Sequence, residues 1–552
     1  MTLFLSSLRS SLRPLGLALI LLSAPGMLAF GQAAPDTGSG AADAGGGRIL
    51  LVLPFDNRSG QPNLEWVREA APELLDSRFV SAGFAPMNRA DRIYALDHLG
   101  LPEGFQPSRA SSLKLAQTLD ADSIVVGSYL TDGSNIVAEA QVVDVPHLRM
   151  SAPVTARGEM RDMIAVFDSL AWKLTRELDP GFSVAEETFV AAGKNIRLDA
   201  FEQYIRGIAE PDHDERVRHL KQAVALNPNF GSAWFALGRE DYAGQQYDDA
   251  AAAFAKVDRD DPNALEAGFY RGMSLLFSGN YPQAEQAFAN VAKVLPLAEV
   301  LNNEGVAQAR QGHDGSTLFI AAETADPNAA DYHFNLAVSL KRRGAAAEAL
   351  PELGQCLKLR PNDSEAQDLE KEWKSPSAAP SSGGADQAAG LEAKADPLER
   401  IVRTFDARAF RQAAVVMDQM ESARLEALSS HDRAVKLAAQ AREYLDRGLL
   451  LEAERLYQAA VAADGSVAEA HAGLAEVRER SGDTAGARKE ADTSLQLRPS
   501  AEAYLVLGRL DLTAGHLDEA RKDAGQAQQL DPGSKASQDL TRQIALKAGK
   551  SQ

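Results

Sequence analysis

The sequence predicts an N-terminal α/β domain with a mixed sheet, followed by two all-α solenoid arrays. Three observations lead there. A pattern of small, aromatic and proline residues recurs with a 34-residue step in the middle of the chain and again near its C-terminus. Ahead of it, residues 48–180 alternate short β-forming runs with helical stretches. Between the two repeat regions, residues 375–396 (SPSAAPSSGGADQAAGLEAKAD) are rich in Ser, Ala, Gly and Pro and read as a flexible linker.

The N-terminal 33 residues read as a secretory signal peptide. Arg9 and Arg13 precede an apolar run at 15–22 (LGLALILL), and Gly31 and Ala33 are small residues suited to cleavage after Ala33. The alternative is an uncleaved anchor; its apolar stretch, 15–30, holds Pro25 and Gly26 and is shorter than the roughly 20 residues that span a bilayer. Residues 34–47 read as a flexible Gly/Ala/Asp leader. The expected location is outside the cytoplasm, in the periplasm, with membrane contact only if the signal stays attached.

Residues 48–55 (RILLVLPF) form a continuous apolar run ended by Asp56, Asn57, Arg58, Ser59 and Gly60, a buried strand and its turn. Leu64, Val67, Ala71, Leu74, Leu75 and Phe79 follow helical spacing. Residues 84–87 are a second strand; 90–99 and 109–119 are helices. Residues 123–131 (SIVVGSYLT) and 136–145 (IVAEAQVVDV), split by Asp132-Gly133-Ser134-Asn135, read as a hairpin. Residues 162–178 close the domain as an amphipathic helix.

The first array spans 197–374. Residues 231–263 carry Trp234, Leu237, Gly238, Ala250, Phe254 and Pro262, of which Gly238, Ala250, Phe254 and Pro262 recur 34 residues later as Gly272, Ala284, Phe288 and Pro296. Ala250, Ala253, Phe254 and Val257 make an apolar stripe on the second helix of the unit, and Asp261-Pro262 stops it. Small Gly238 and Ala250 let two helix backbones approach. One such hairpin cannot bury its apolar faces alone, so the unit must recur. Short units at 200–229 and 298–328, a regular one at 330–363 and a capping helix at 364–373 complete the array. The second array, 397–547, opens with an irregular helical pair at 398–427. Three units follow, marked by Ala453, Ala487 and Ala520, and a cap at 536–546.

Composition limits the function. The formal net charge of -20 is a poor footprint for nucleic acid or anionic lipid. The single cysteine, Cys356, excludes an internal disulfide and Cys-rich zinc sites; it falls on a core face. The motifs HExxH, GxSxG and GxxxxGK[ST] do not occur. His213 and His219 stand six apart, on different helix faces, and make no metal pair. No catalytic, cofactor or metal residue is therefore assigned. A hydrolase with an unfamiliar site would need convergent carboxylates in the first domain.

The 34-residue pattern resembles the tetratricopeptide repeat, which implies helix pairs stacked into a protein-binding solenoid. In that family the first helices of each pair line a groove. The resemblance places Phe235, Arg239, Tyr242, Phe269, Tyr270, Met273, Asn303, Phe334 and Arg342 there, with Phe277, Asn302, Arg310, Asn335 and Lys341 beside them. Aromatic and arginine side chains are common interface anchors. Arg442, Glu469, Glu476, Glu479, Leu505 and Arg509 are the corresponding, more charged face of the second array. The pattern departs from the Lys/Asn clamp that grips a terminal carboxylate in some relatives. The stretches LPFDNRSGQPNLEW and DADSIVVGSYLTDGSNIVAEAQVVDV resemble the amino-terminal domain of the TolB periplasmic protein and CsgG-like curli secretion domains. That resemblance implies a bacterial cell-envelope interaction domain. The expected function is a non-enzymatic exported scaffold binding envelope proteins or peptide segments. The alternative is that the α/β domain binds a ligand or glycan, or assembles with itself, while the repeats dock it.

Overall fold

The computed structural model describes residues 49–102, 109–193, 196–375, 397–405 and 420–550. The expected signal peptide and leader, and all of the expected linker but Ser375, lie outside the described residues. The described chain forms two compact units. One contains 196–375 and 397–405; the other joins 49–193 to 420–550.

The α/β domain is built on the 4-residue apolar strand β1 (Ile49–Val52), too short and too hydrophobic to be stable unless covered on both faces. It pairs in parallel with β3 (Ala85–Pro86) and with β4 (Ser123–Asp132). β4 turns at Gly133, where φ is +63°, into antiparallel β5 (Asn135–Asp144), with Ser123 opposite Asp144 and Asp132 opposite Asn135. The sheet is therefore mixed. The expected turn at 56–60 is only partly a turn: Asp56–Asn57 forms a second short strand, β2, parallel to β4 at Ser128 and Tyr129. Two further strands, β6 (Arg149–Met150) and β7 (Val154–Glu159), add to β5.

Helices cover both faces. α1 (Val67–Ala82) and α4 (Met163–Leu178) pack together over one. α2 (Arg89–His98) and α3 (Arg109–Thr118) cover the other, around Leu51, Leu53, Leu96, Leu115, Ile124 and Val143. A buried ion pair joins α1 to α4: Arg78 Nε donates to Asp168 Oδ1 at 2.7 Å. Burial pushes the Asp168 carboxyl up to about 6, against the pull of Arg78. A short helix, α5 (Glu186–Ala192), carries the domain onto the second array. There Glu454 accepts from the Ala185 amide (3.2 Å) and the Thr188 hydroxyl (2.5 Å), and Ser183 donates to Gln458 (2.6 Å).

The first array runs through α6 (Leu198–Ala209) and α7 (His213–Leu226), α8 (Gly231–Ala243) and α9 (Tyr247–Phe254), and α10 (Ala264–Phe277) and α11 (Tyr281–Ala292). It continues with α12 (Ala298–Arg310) and α13 (Ser316–Ala325), then α14 (Ala330–Arg342) and α15 (Ala346–Leu359), and ends in α16 (Ser364–Lys374). The second contains α17 (Ser430–Asp446) and α18 (Leu450–Ala463), α19 (Ala468–Ser481) and α20 (Thr484–Leu497), α21 (Ala501–Ala514) and α22 (Leu517–Leu530), and the terminal α23 (Lys535–Lys550).

The recurring glycine has a sharper role than backbone approach. A Cβ on Gly238 would lie 2.8 Å from the Phe254 ring, on Gly272 2.7 Å from Phe288, and on Gly305 2.8 Å from Phe319. In these three units the first helix leaves a hole, and the aromatic ring of its own partner helix fills it; at Gly207 Leu220 does so, and at Gly473 Tyr457 of the preceding helix. In the last unit Ala524 stands where the ring would be, and Leu540 of α23 fills the hole at Gly508, 2.9 Å from a Cβ there. The second helices end before their prolines: α9 stops at Phe254, not at Asp261-Pro262, so Val257 lies in the following turn.

The expected helical pair at 398–427 is corrected only in its first residues: 420–426 are helical, and 406–419 lie outside the described residues. Residues 397–405 are not helical and lie against the first array rather than opening the second. Leu398, Ile401, Val402 and Phe405 have helical spacing, which explains the expectation. In the structure Leu398 is 57% exposed while Ile401 and Phe405 pack on the core of the array, a division that a common helical face does not make.

Replacing Arg78 with Met leaves Asp168 buried and unpaired. Denaturant unfolding should show a loss of about 3–5 kcal/mol, and a much smaller loss when Asp168→Leu is added. A second expectation concerns the turns between paired helices. Gly279, Gly312, Gly344, Gly448, Gly482 and Gly515 all have positive φ there, but the unit at 231–264 has Gln245 at φ +60°. Gln245→Gly should raise stability by about 1 kcal/mol in the same measurement; no gain would mean that the turn is not strained.

Candidate protein-binding groove

Three asparagines define the site. Asn302 and Asn303 on α12 and Asn335 on α14 are fully buried, so each amide must find partners inside the protein. They find them on the backbone of residues 397–405. Asn335 accepts from the Arg400 amide (2.6 Å) and donates to its carbonyl (2.8 Å). Asn302 donates to the same carbonyl (3.1 Å), and its own side-chain oxygen accepts from Asn335 (2.8 Å). Asn303 accepts from the Val402 amide (3.0 Å) and donates to the Val402 carbonyl (2.8 Å). Residues i and i+2 thus present N–H and C=O to the same wall, as one edge of an extended strand does.

Side chains of the held segment sort by charge. Glu399 lies between two arginines: Arg342 donates to its carboxylate, Arg310 Nε stands 3.9 Å from Oε2, and Arg310 also donates to the Glu399 carbonyl (3.0 Å). Arg342 donates to the Pro397 carbonyl as well (2.6 Å). One step on, the Arg400 guanidinium lies 3.5 Å above the Phe334 ring centre. It donates to Asp363 (2.6 and 2.9 Å), Asp331 (3.1 Å) and Glu365 (2.9 Å). That contact holds the Asp363 carboxyl below its ordinary range. Ile401 and Phe405 rest on the array's core, with the Phe405 ring 5.5 Å from that of Phe269. Arg403 lies over Phe277 at 5.5 Å.

Of the residues predicted for the groove, Phe269, Asn303, Phe334 and Arg342 meet this segment directly, and Met273 buttresses it, its sulfur 3.2 Å from Asn303 Nδ2. Phe235, Arg239, Tyr242 and Tyr270 are engaged with the repeats themselves. Phe235 packs on Phe254 at 6.0 Å, and Tyr242 on Tyr270 at 5.3 Å. Arg239 lies 4.2 Å over Tyr270 and is bonded to Glu266. Burial pushes the Tyr242 phenol up to about 12. Lys341 lies over Trp373 at 5.3 Å. The sequence pattern shows neither the occupant nor the acidic pocket of Asp331, Asp363 and Glu365; Asp363 and Glu365 lie outside the first helices of the pairs.

The corresponding face of the second array is paired with itself. Arg442 bonds Glu476 (2.8 Å), Arg509 bonds Glu479 (2.6 Å) and Arg498 bonds Glu469. Leu505 is turned inward against Leu540 and Ile544. Cys356 is buried, its thiol pushed up to about 11 by burial. His213 bonds Glu240 and His219 bonds Gln203, so the two do not converge. Asn57, the last residue of β2, accepts from the Ser59 amide and hydroxyl, which gives it a turn-forming role. Among the described residues, Glu323, His333 and Glu352 bring ligand atoms within 4.8 Å of one another. The same His–Glu contact, with a carbonyl on the other ring nitrogen, recurs at His471, Glu490 and Gly465, where it joins neighbouring helices as an ion pair. The cluster therefore reads as a repeat contact.

Comparison with known proteins found similarity in the repeat regions. The tetratricopeptide repeat family matches residues 214–264, 438–502 and 480–535. A curated relative, protein bimA of Emericella nidulans, is 32% identical over 90 residues, 16% of this chain; the chain spans 11% of that protein's length. Solved structures include YrrB, titled a TPR protein with an unusual peptide-binding site, at 16% identity and a TM-score of 0.28, covering 37% of this chain and 99% of YrrB. MamA is 16% identical with a TM-score of 0.27 over 31% of this chain and 96% of its own. The LpoB C-terminal domain from Salmonella enterica is 18% identical with a TM-score of 0.19 over 22% and 88%. The matched segments fall on helix pairs of both arrays and carry the tetratricopeptide-repeat pattern.

Proposed function

We propose that the chain is a non-enzymatic, exported scaffold of a bacterial envelope that holds extended protein segments in the groove of its first array. One observation carries the reading: buried Asn302, Asn303 and Asn335 take both backbone groups of alternate residues in a non-helical segment. Side-chain amides aimed at a peptide backbone hold extended chain whatever its side chains, and the flanking charge pockets add selectivity. Export rests on residues 1–33, and the envelope setting on the TolB-like and CsgG-like pattern of residues 48–180.

A second reading has its own support. The link at 183–188 is clasped by Glu454 and Gln458, so the second array serves to seat the α/β domain. On that reading the α/β domain binds the ligand or glycan, or self-assembles. Capture from envelope extract separates the two. Full-length chain carrying Phe269→Ala and Phe334→Ala should retain less than a tenth of the proteins that the unaltered chain retains. Undiminished capture would move the activity to the α/β domain. For export, N-terminal sequencing of protein from an envelope fraction should begin at Ala34; intact Met1 in a cytosolic fraction would remove that part of the proposal.

A further inference from the structure

We infer that residues 397–405 (PLERIVRTF) are a tethered competitor for the first array's groove. The partner they exclude is an extended protein segment of the same chemistry: a glutamate followed directly by an arginine, then apolar residues one and five positions beyond the arginine. This rests on the reading that the groove takes segments of other proteins, and names what kind.

The specification comes from the pockets. The Glu399 pocket is cationic, with Arg310 and Arg342 as its walls. The next pocket is anionic, with Asp331, Asp363 and Glu365 around a guanidinium that also needs the flat face of Phe334. A lysine can supply the charge there but not the bidentate fork that Asp363 receives. Two opposite pockets in fixed order set the direction of the segment, since a reversed chain would put each charge against its like. Ile401 and Phe405 give the apolar spacing.

The fit to the tethered segment is incomplete. Glu399 Oε2 is buried without a hydrogen bond, and Arg310 stands at ion-pair distance only. An unsatisfied buried carboxylate oxygen weakens the intramolecular complex. A segment from another protein that satisfies both arginines starts with that advantage. Tethering works the other way. A segment on the same chain acts at an effective concentration on the order of 1 mM. If its intrinsic dissociation constant is on the order of 10 µM, the groove is closed about 99% of the time and an incoming segment binds about 100-fold more weakly than to an empty groove.

The experiment uses the full chain and a fluorescent synthetic peptide, PLERIVRTF, followed by anisotropy. Three proteins are compared: the unaltered chain; a release variant with Glu399→Lys and Arg400→Glu; and the release variant with Asn303→Ala and Asn335→Ala added. A second release variant, with 397–405 replaced by nine Gly and Ser residues, guards against misfolding from charge reversal, and melting curves confirm that each is folded. The release variants should bind the peptide about 100-fold more tightly than the unaltered chain, and the asparagine changes should remove that binding. A peptide with the Glu and Arg exchanged should bind no variant. If the unaltered chain and both release variants bind equally and only the asparagine changes abolish binding, the groove takes segments in trans but the tether does not compete, and the inference fails alone. If none binds, the groove reading fails with it.

Discussion

In three units of the first array one steric arrangement sets the helix pair: an aromatic ring of the second helix is seated where the first helix has no Cβ. At Gly238, Gly272 and Gly305 the rings of Phe254, Phe288 and Phe319 occupy space that any side chain would claim. The arrangement fixes how closely the two helices of a unit approach and how they are rotated about their axes. Once those are set, the outward face of each first helix points in a repeatable direction. Asn302 on α12 and Asn335 on α14, one unit apart, share the same carbonyl.

Buried amides are costly unless bonded, and three of them lie in one wall. Residues 397–405 supply the missing partners in extended form, where N–H and C=O of alternate residues point one way. As a helix the segment would turn those groups inward along its own axis and leave the asparagines unmet. The charges follow the same logic. Glu399 is almost fully buried, and such a group is tolerable only beside cations, here Arg310 and Arg342.

The architecture was legible where sequence leaves a spaced mark. Recurring Gly, Ala, Phe and Pro positions identified the first array, Ala453, Ala487 and Ala520 the second, and β-forming runs split by Asp132-Gly133-Ser134-Asn135 the hairpin. Other parts leave weaker marks. β7 reads VTARGE, half polar, and gains its strand character only from pairing with β5. The groove was legible as positions but not as a device: Asn303, Phe334 and Arg342 could be assigned to a face, yet their use depends on a segment 57 to 99 residues away in sequence. That segment carries helical spacing by coincidence of Leu398, Ile401, Val402 and Phe405, and tertiary contacts override it.

The second array uses the same means for a different end. Glu454 is buried, which raises its pKa, and the Thr188 hydroxyl, Arg478 and the Ala185 amide offset that burial. Like Asn303, it is a polar side chain on a repeat helix that captures a backbone group from outside the repeats. The first array meets its segment with neutral amides, which bond both N–H and C=O and so follow an extended backbone. The second meets the start of α5 with a carboxylate, an acceptor only, suited to the free amides at a helix N-terminus. The choice of amide or carboxylate thus matches the backbone each array holds: a continuous extended strand in one, the open end of a helix in the other.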